Sequence, residues 1–319
     1  MSQQSTTPTR PATRTGWRGV LVYCVLAYGL AWLVCLPLWL DGRGLANPLA
    51  MPLAVVMMFT PAVSALIVNR FVERRSWRTL GIGASRPVGR FLGYLVLALV
   101  GMMLLVAAAM VTSALLGQYA IDPGLSALRA LLEAQLAPAG LSVESVGIPM
   151  GGWVAIVLAQ TALGGLINTV PAFGEELGWR GYLFPRLNEL AGPVWAVLGS
   201  GIIWGLWHAP LILLGYNYPS NPVLGLGAMC VVGTVVGAFL AFLRQRSSSV
   251  WPAALGHGTM NAAVGTFALV FSRAGASAET LDATIMGWSG WPIPVLLTLV
   301  LLRRHAFVPR TPRESPTSA

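Results

Sequence analysis

Long apolar runs dominate the chain, and short polar segments separate them. A helix needs about 20 apolar residues to cross the hydrocarbon core of a bilayer. Eight predicted spans lie near 18–40, 49–69, 90–117, 150–184, 193–215, 223–243, 250–271 and 288–302. The pattern therefore predicts an all-α, polytopic membrane protein with about eight transmembrane helices.

The composition supports a membrane location. Of the 319 residues, 55% are hydrophobic and 10% are charged, whereas soluble domains contain about 25% charged residues. The formal net charge is +9, and every basic side chain is an arginine. These arginines lie in connections beside the apolar runs, which indicates membrane orientation and contact with anionic lipid, not nucleic-acid binding. We expect a multi-pass protein of the cell membrane.

Arginines are concentrated in every second connection. The arginine-rich segments are the N-terminal tail, 70–86, 244–246 and the C-terminal tail, whereas the intervening connections contain no more arginines than acidic residues. Cytoplasmic connections of membrane proteins carry the excess of basic residues. The distribution predicts that both termini are cytoplasmic, and an odd number of spans would break the alternation.

The chain divides into spans and tails. The predicted parts are a disordered N-terminal tail (1–17), N-terminal transmembrane helices (18–145), a core of further spans (150–275), a last transmembrane helix (276–305) and a disordered C-terminal tail (306–319). Both tails are rich in proline, serine, threonine and arginine, a composition that cannot bury enough apolar surface to fold. A short amphipathic helix is expected within 124–136, on the outer surface.

An acidic pair lies near the end of the fourth predicted span. Ionised side chains at the bilayer centre cost about 2.5–3.5 kcal/mol each, so they are usually functional or paired. Glu176 and Arg180 are four residues apart on one helical stripe and can neutralise each other. Glu175 points about 100° away from that stripe, so we interpret it as a free carboxylate able to take a proton from water. The alternative is an ordinary cytoplasmic loop with a surface ion pair.

Two of the three histidines lie inside predicted spans. His208 lies in the fifth span, one turn after Trp204, whose ring can stack on the imidazole. His257 lies in the seventh span and shares a stripe with Asn261, four residues later. Because ionisable groups are rare in these spans, we predict that both histidines, Asn261 and Glu175 meet in one polar site.

That set of groups favours hydrolysis of an amide bond. A glutamate can activate water, and histidine and asparagine can donate hydrogen bonds to an oxyanion. Alternatively, Glu175, His208 and His257 could hold a divalent metal such as zinc, since one carboxylate and two imidazoles match a three-ligand catalytic site. The HExxH arrangement is absent, and the residues alone leave both readings open.

Three segments resemble motifs of the CPBP, or Abi, family of intramembrane endopeptidases, which includes the type II CAAX prenyl endopeptidases. The family motif EExxxR is matched by Glu175, Glu176 and Arg180, FxxxH by Trp204 to His208, and HxxxN by His257 and Asn261. Tryptophan replaces phenylalanine in the second motif and keeps an aromatic neighbour for His208. The motifs occur in the family's order, and the resemblance covers about 150–275.

The resemblance implies an all-α, eight-helix intramembrane protease whose site opens to the cytoplasm. Glu175 would then activate the water, His208 would assist or orient it, and His257 with Asn261 would stabilise the oxyanion. Glu176, Arg180 and Trp204 would support the site. The resemblance leaves a glutamic and a metallo mechanism open, and it implies a peptide or protein substrate at the membrane.

Two other functions remain open at this stage. A non-proteolytic immunity or scaffold protein would use the same fold to bind a partner. An ion-coupled transporter would use the intramembrane glutamate and histidines as a proton relay.

Overall fold

The structure, a computed structural model, describes residues 10–84 and 87–308. Its regular elements are helices, and within these ranges the β-structure is limited to one isolated bridge between Ile121 and Ser272. The α-helices are α1 (Arg10–Leu40), α2 (Ala50–Met57), α3 (Thr60–Ile67), α4 (Val88–Leu115), α5 (Ser126–Leu136), α6 (Val143–Val146), α7 (Met150–Gly178), α8 (Phe184–Ala191), α9 (Pro193–Trp207), α10 (Ala209–Ile212), α11 (Pro222–Ser247), α12 (Trp251–Val270) and α13 (Pro292–Arg303). The predicted all-α class is confirmed.

Each of the eight predicted spans coincides with helical structure. Five helical segments are long and apolar enough to cross a membrane, namely Thr15–Leu40, Ala50–Val72, Val88–Leu115, Met150–Ala191 and Pro222–Ser247. The shorter apolar helices α9 and α13 contain 15 and 12 residues, and α12 contains 20. The polytopic membrane class is therefore confirmed, and the total of eight crossings stays a prediction.

Two predicted boundaries differ from the structure. Helix α1 begins at Arg10, so residues 10–17, which we expected in the tail, are helical. At the other end Ala306 and Phe307 are buried, and the Phe307 ring lies 5.4 Å from that of Phe184. Because these apolar side chains pack into the core, the C-terminal tail cannot begin at 306. The remaining tail residues, 1–9 and 309–319, lie outside the described part.

The amphipathic helix expected within 124–136 is observed as α5. It begins at Ser126 because the Asp122 carboxylate accepts hydrogen bonds from the backbone N–H groups of Gly124 and Ser126, at 2.8 and 2.9 Å. Such a carboxylate satisfies N–H groups that lack a partner at a helix start. Leu128 and Leu132 on its apolar face are buried, and the polar face is left to solvent.

The arginine-rich connections meet at one end of the bundle. Arg244 donates a hydrogen bond to the carbonyl oxygen of Thr79, at 3.0 Å. Arg246 donates to the carbonyl oxygen of His305, at 3.3 Å. Three connections that are distant in sequence are thus joined by their own arginines. We name this the arginine-rich end.

The connections poor in arginine meet at the opposite end. Ile121, before α5, forms its bridge with Ser272, after α12. The Ser220 hydroxyl, before α11, donates to the Glu279 carboxylate at 2.6 Å. We name this the arginine-poor end. The alternation read from the sequence therefore corresponds to two opposite faces of the molecule, while the assignment of the arginine-rich end to the cytoplasm stays a prediction.

Helix α12 packs closely against α7 through glycine. A Cβ atom on Gly258 would lie 2.7 Å from both the Gly165 carbonyl oxygen and the Thr169 backbone nitrogen. Only glycine permits this approach, as is common where membrane helices pack. The contact places His257, the preceding residue, beside the C-terminal half of α7.

The variant Gly258→Ala is expected to lower the free energy of unfolding by about 1–3 kcal/mol, because the added methyl group must push the two helix backbones apart. Gly265→Ala, on the same helix, is the matched control: its Cβ meets no atom within 4 Å. Thermal unfolding in detergent measures the difference. Equal transition midpoints for the two variants would contradict the packing described.

Candidate active site

The acidic pair lies where the helical hydrogen bonding changes. Helix α7 ends at Gly178 and continues as one π-helical turn, Trp179–Leu183, before α8 begins. Single π-turns between α-helical segments are frequently found at functional sites. Glu175 and Glu176 are only 2% and 0% exposed. The alternative of a surface loop is therefore wrong, because both carboxylates lie inside the bundle.

Glu176 joins two elements. Its Oε1 accepts hydrogen bonds from Arg180 Nη1 at 2.8 Å and from His257 Nδ1 at 2.9 Å. The Arg180 guanidinium also lies 4.2 Å from the ring centroid of Trp204, a cation–π contact. A Cβ on Gly237 of α11 would come within 2.6 Å of Arg180 Nη2, so glycine leaves the space for that side chain. The ion pair expected from the spacing forms, and the bond to His257 is an addition that the spacing did not predict.

Glu175 is held by two tryptophans. Its Oε2 accepts a hydrogen bond from Trp204 Nε1 at 2.7 Å and a longer one from Trp179 Nε1 at 3.3 Å. Within the described residues Oε1 receives no hydrogen bond. The carboxylate is therefore fixed through one oxygen while the other remains available. Sequence reasoning missed Trp179, although its position four residues after Glu175 places both side chains on one stripe.

His208 lies at the junction of α9 and α10. Helix α9 ends at Trp207, and Pro210 follows, whose ring nitrogen cannot donate a helical hydrogen bond. His208 Nδ1 lies 2.9 Å from the Trp204 carbonyl oxygen. A carbonyl only accepts, so Nδ1 carries the hydrogen, and Nε2 of the neutral ring is an acceptor.

The aromatic neighbours differ from those expected. Trp207 packs edge-on against His208, with ring centroids 4.8 Å apart. Trp204 lies 5.9 Å from His208 at an interplanar angle of 54°, and it lies closer to His257, at 5.1 Å. The expected stacking of Trp204 on His208 is thus wrong, because the Trp204 ring is placed by Glu175 and Arg180.

One cavity collects the four candidate catalytic residues. Glu175, His208, His257 and Asn261 all line a cavity of about 770 Å³, within the range of about 300–1,000 Å³ that is usual for ligand sites. The side chains of Glu175, His208 and His257 are buried, whereas Asn261 is exposed. The fourth, fifth and seventh predicted spans therefore bring their polar side chains to one place.

The zinc alternative requires three ligands grouped around one ion. In the described part of the chain no three histidine, cysteine, aspartate or glutamate side chains are grouped so that they could hold one metal ion. Glu175, His208 and His257 share the cavity without forming such a group. The divalent-metal alternative stays a prediction.

The cavity opens at the arginine-poor end. Ser277 and Glu279, in the connection after α12, are exposed and line it. Across 10–84 and 87–308, no lining residue comes from an arginine-rich connection. The resemblance implies an opening to the cytoplasm, whereas the arginines place the termini there. The two expectations cannot both hold, since the cavity opens away from the arginine-rich end.

The position of the site and the similarity to known proteins both indicate an intramembrane site of the protease type. A polytopic membrane protein with a buried glutamate and two histidines on one cavity fits an intramembrane site. Residues 149–263 match the family described as type II CAAX prenyl endopeptidase Rce1-like. All three motifs lie inside this matched segment, which is a little over a third of the chain, so the resemblance that they carry to the CPBP and type II CAAX protease family is confirmed.

A curated relative supports the same family. The chain is 48% identical over 44 residues to "CAAX prenyl protease 2" of Methanococcus maripaludis. The aligned segment covers 14% of this chain and 16% of the relative. The match thus spans about a sixth of the relative's length.

The variant Trp204→Phe is expected to lower the free energy of unfolding by about 1.5–3 kcal/mol, since a buried carboxylate loses a charged hydrogen bond. Trp207→Phe is the control: the Trp207 indole donates to the neutral hydroxyl of Thr60 at 3.3 Å, a bond of about 0.5–1.5 kcal/mol. Equilibrium unfolding in detergent measures both. A smaller loss for Trp204→Phe than for the control would argue against a charged Glu175.

Proposed function

We propose that this protein is an intramembrane endopeptidase that hydrolyses a peptide bond of a membrane-associated peptide or protein. The family of residues 149–263 and the name of the curated relative support a protease. The observation that carries the proposal is the arrangement of Glu175, fixed through Oε2 and free at Oε1, on a cavity shared with His208, His257 and Asn261. The proposed catalytic core is 150–275.

Glu175 acts as the general base. Its free Oε1 takes a proton from a water molecule while the water oxygen attacks the carbonyl carbon of the substrate. The two indole N–H groups keep Oε2 in place during this step. His208 accepts a hydrogen bond from the same water at Nε2, because its Nδ1 hydrogen is already donated to the Trp204 carbonyl oxygen. Glu175 then returns the proton to the amine nitrogen as the carbon–nitrogen bond breaks.

His257 and Asn261 stabilise the oxyanion. His257 donates its Nδ1 hydrogen to Glu176, and in the imidazolium form its Nε2 hydrogen is free to be donated to the developing negative oxygen. The Asn261 side-chain amide, one turn along α12, supplies the second donor.

Reconstituted protein tests the proposal. Purified protein in liposomes is incubated with membrane-anchored peptides of varied sequence, and the products are identified by mass spectrometry. We expect two fragments that add up to the substrate plus one water, and we expect cleavage to persist in a strong chelator. Loss of cleavage in the chelator, with recovery on adding zinc, would favour the metal mechanism. Intact peptide under all conditions would contradict the proposal.

A further inference from the structure

We propose that Glu73 is a positioning residue of the active site, although it belongs to none of the three motifs and does not line the cavity. It acts through Tyr182, which lies in the π-helical turn Trp179–Leu183, named here the π-turn. The kinetic consequence rests on the proposed function. The contacts that carry the inference are independent of any reaction.

The π-turn carries groups that hold both glutamates of the site. The Trp179 indole donates a hydrogen bond to Glu175 at 3.3 Å, and the Arg180 guanidinium donates one to Glu176 at 2.8 Å. These two donors are consecutive residues at the start of the turn, so the position of each depends on its backbone. A displacement of the π-turn would therefore move hydrogen-bond donors of both carboxylates at once.

The π-turn needs support from outside its own helix. The Phe184 backbone N–H group donates to the carbonyl oxygen of Trp179, five residues earlier, instead of four residues earlier as in an α-helix. Such turns are rare and occur singly within α-helices. A return to α-helical hydrogen bonding would rotate the following residues by about 100° relative to α7. Contacts with other elements are therefore required to hold this turn in place.

Glu73 supplies such a contact from the connection between α3 and α4. Its Oε1 accepts hydrogen bonds from the Tyr182 hydroxyl at 2.9 Å and from Arg186 Nε at 3.0 Å. Because Arg186 lies in α8, one oxygen atom ties the π-turn to the helix that follows it. The Glu73 side chain is only 1% exposed, and hydrogen bonds to a charged acceptor are about twice as strong as those between neutral groups.

The structure around Glu73 is shaped to place its carboxylate. A Cβ atom on Gly19 of α1 would collide with Glu73 Oε1 and lie 2.6 Å from the Tyr182 hydroxyl. A second π-helical turn, Val68–Val72, ends immediately before Glu73, and Arg74 after it has a φ of 53°, in the left-handed region. A residue other than glycine adopts that conformation at an energetic cost, and such strain is concentrated at functional sites. Both backbone features support a specific role for Glu73.

Glu189 belongs to the same charged cluster and provides a control. Its carboxylate accepts hydrogen bonds from Arg75 Nη2 at 3.1 Å and from Arg186 Nη1 at 2.6 Å. Arg75 Nη1 also lies 3.9 Å from Glu73 Oε2. Glu189 thus shares both arginine partners with Glu73, but within 10–84 and 87–308 its carboxylate makes no hydrogen bond to Tyr182.

Four variants of the full chain separate positioning from general stability. Tyr182→Phe removes only the hydroxyl group, and Glu73→Met removes the acceptor while keeping most of the volume. Glu73→Gln returns an acceptor oxygen for the Tyr182 hydroxyl. Glu189→Met is the matched control. Unfolding midpoints in detergent define a temperature at which the variants are folded, and Tyr182→Phe carries the test if Glu73→Met does not fold.

Two measurements are made on each variant: cleavage kinetics in liposomes, and hydrogen–deuterium exchange of the backbone amides of 179–183. We expect Tyr182→Phe and Glu73→Met to lower kcat by about 10- to 100-fold, since a displacement of about 1 Å in an active site can cost that much. KM should stay unchanged, as for an interaction that matters only in the transition state. Exchange within 179–183 should be faster. Glu73→Gln and Glu189→Met should resemble the wild-type protein in both measurements.

The combination of rate and exchange decides the outcome. Wild-type exchange in Tyr182→Phe would overturn the proposal, as would an unchanged kcat in a variant whose π-turn exchanges faster. Equal losses in Glu189→Met and Glu73→Met would also overturn it, because the effect would then belong to the whole charged cluster. Faster exchange in Tyr182→Phe of a protein that cleaves no peptide would support the contact from Glu73 to the π-turn and reject the protease function, so the two failures are distinguishable.

Discussion

Replacing Glu175 by glutamine is expected to lower peptide hydrolysis by about 10²- to 10⁴-fold, because a neutral amide cannot take a proton from water. Glutamine has nearly the same size, and its amide oxygen can still accept the indole hydrogen bonds from Trp204 and Trp179. The fold should therefore survive the change. Initial rates in liposomes, measured together with the unfolding midpoint, separate loss of chemistry from loss of structure.

The matched control is Glu144→Gln. Glu144 forms an exposed ion pair with Arg129, has a side chain that is 67% exposed and does not line the cavity. Its replacement should leave the rate unchanged. A Glu175→Gln variant that cleaves at the wild-type rate would remove Glu175 from the reaction. If Glu175→Gln abolishes cleavage but cells that carry this variant still behave like cells with the wild-type protein and unlike cells that lack it, the protein also acts as a scaffold.

The variant Arg180→Met is expected to lower the free energy of unfolding by about 3–5 kcal/mol, the range for a buried ion pair that loses one partner. Glu176 would then remain fully buried, with His257 alone to share its charge. Methionine fills part of the volume, so the loss reflects charge more than space. Equilibrium unfolding in detergent gives the value, and Arg129→Met, in the exposed pair with Glu144, should show no measurable change.

A double variant separates charge from packing. Adding Glu176→Gln to Arg180→Met removes the uncompensated carboxylate, so the double variant should be more stable than Arg180→Met alone. If the single and double variants unfold at the same point, Glu176 does not carry a charge in the folded protein. The same pair of variants also tests whether His257 depends on Glu176 for its orientation.

The spans were predictable because a bilayer imposes length and apolarity on each crossing helix. The Glu176–Arg180 pair was predictable for a similar reason, since both partners belong to one helix and four residues make them neighbours. Trp179 could have been found by the same rule applied to Glu175. These features depend only on distances along one helix.

The remaining contacts depend on how helices pack. The bond from His257 to Glu176 requires α12 to lie against α7 at Gly258 and Gly165, and neither motif contains that information. The position of Trp204 depends on Arg180, which reaches it from another helix through the space left at Gly237. The direction of the cavity depends on which connections fold over its mouth, and hydropathy does not report this.

The shared oxygen of Glu176 has an evolutionary consequence. One atom neutralises a cation on its own helix and also orients an imidazole on a distant one. Drift at position 176, 180 or 257 therefore disturbs two functions at once, so viable sequences should change these positions jointly. We therefore expect positions 176, 180 and 257 to covary with one another more strongly than any of them covaries with Asn261.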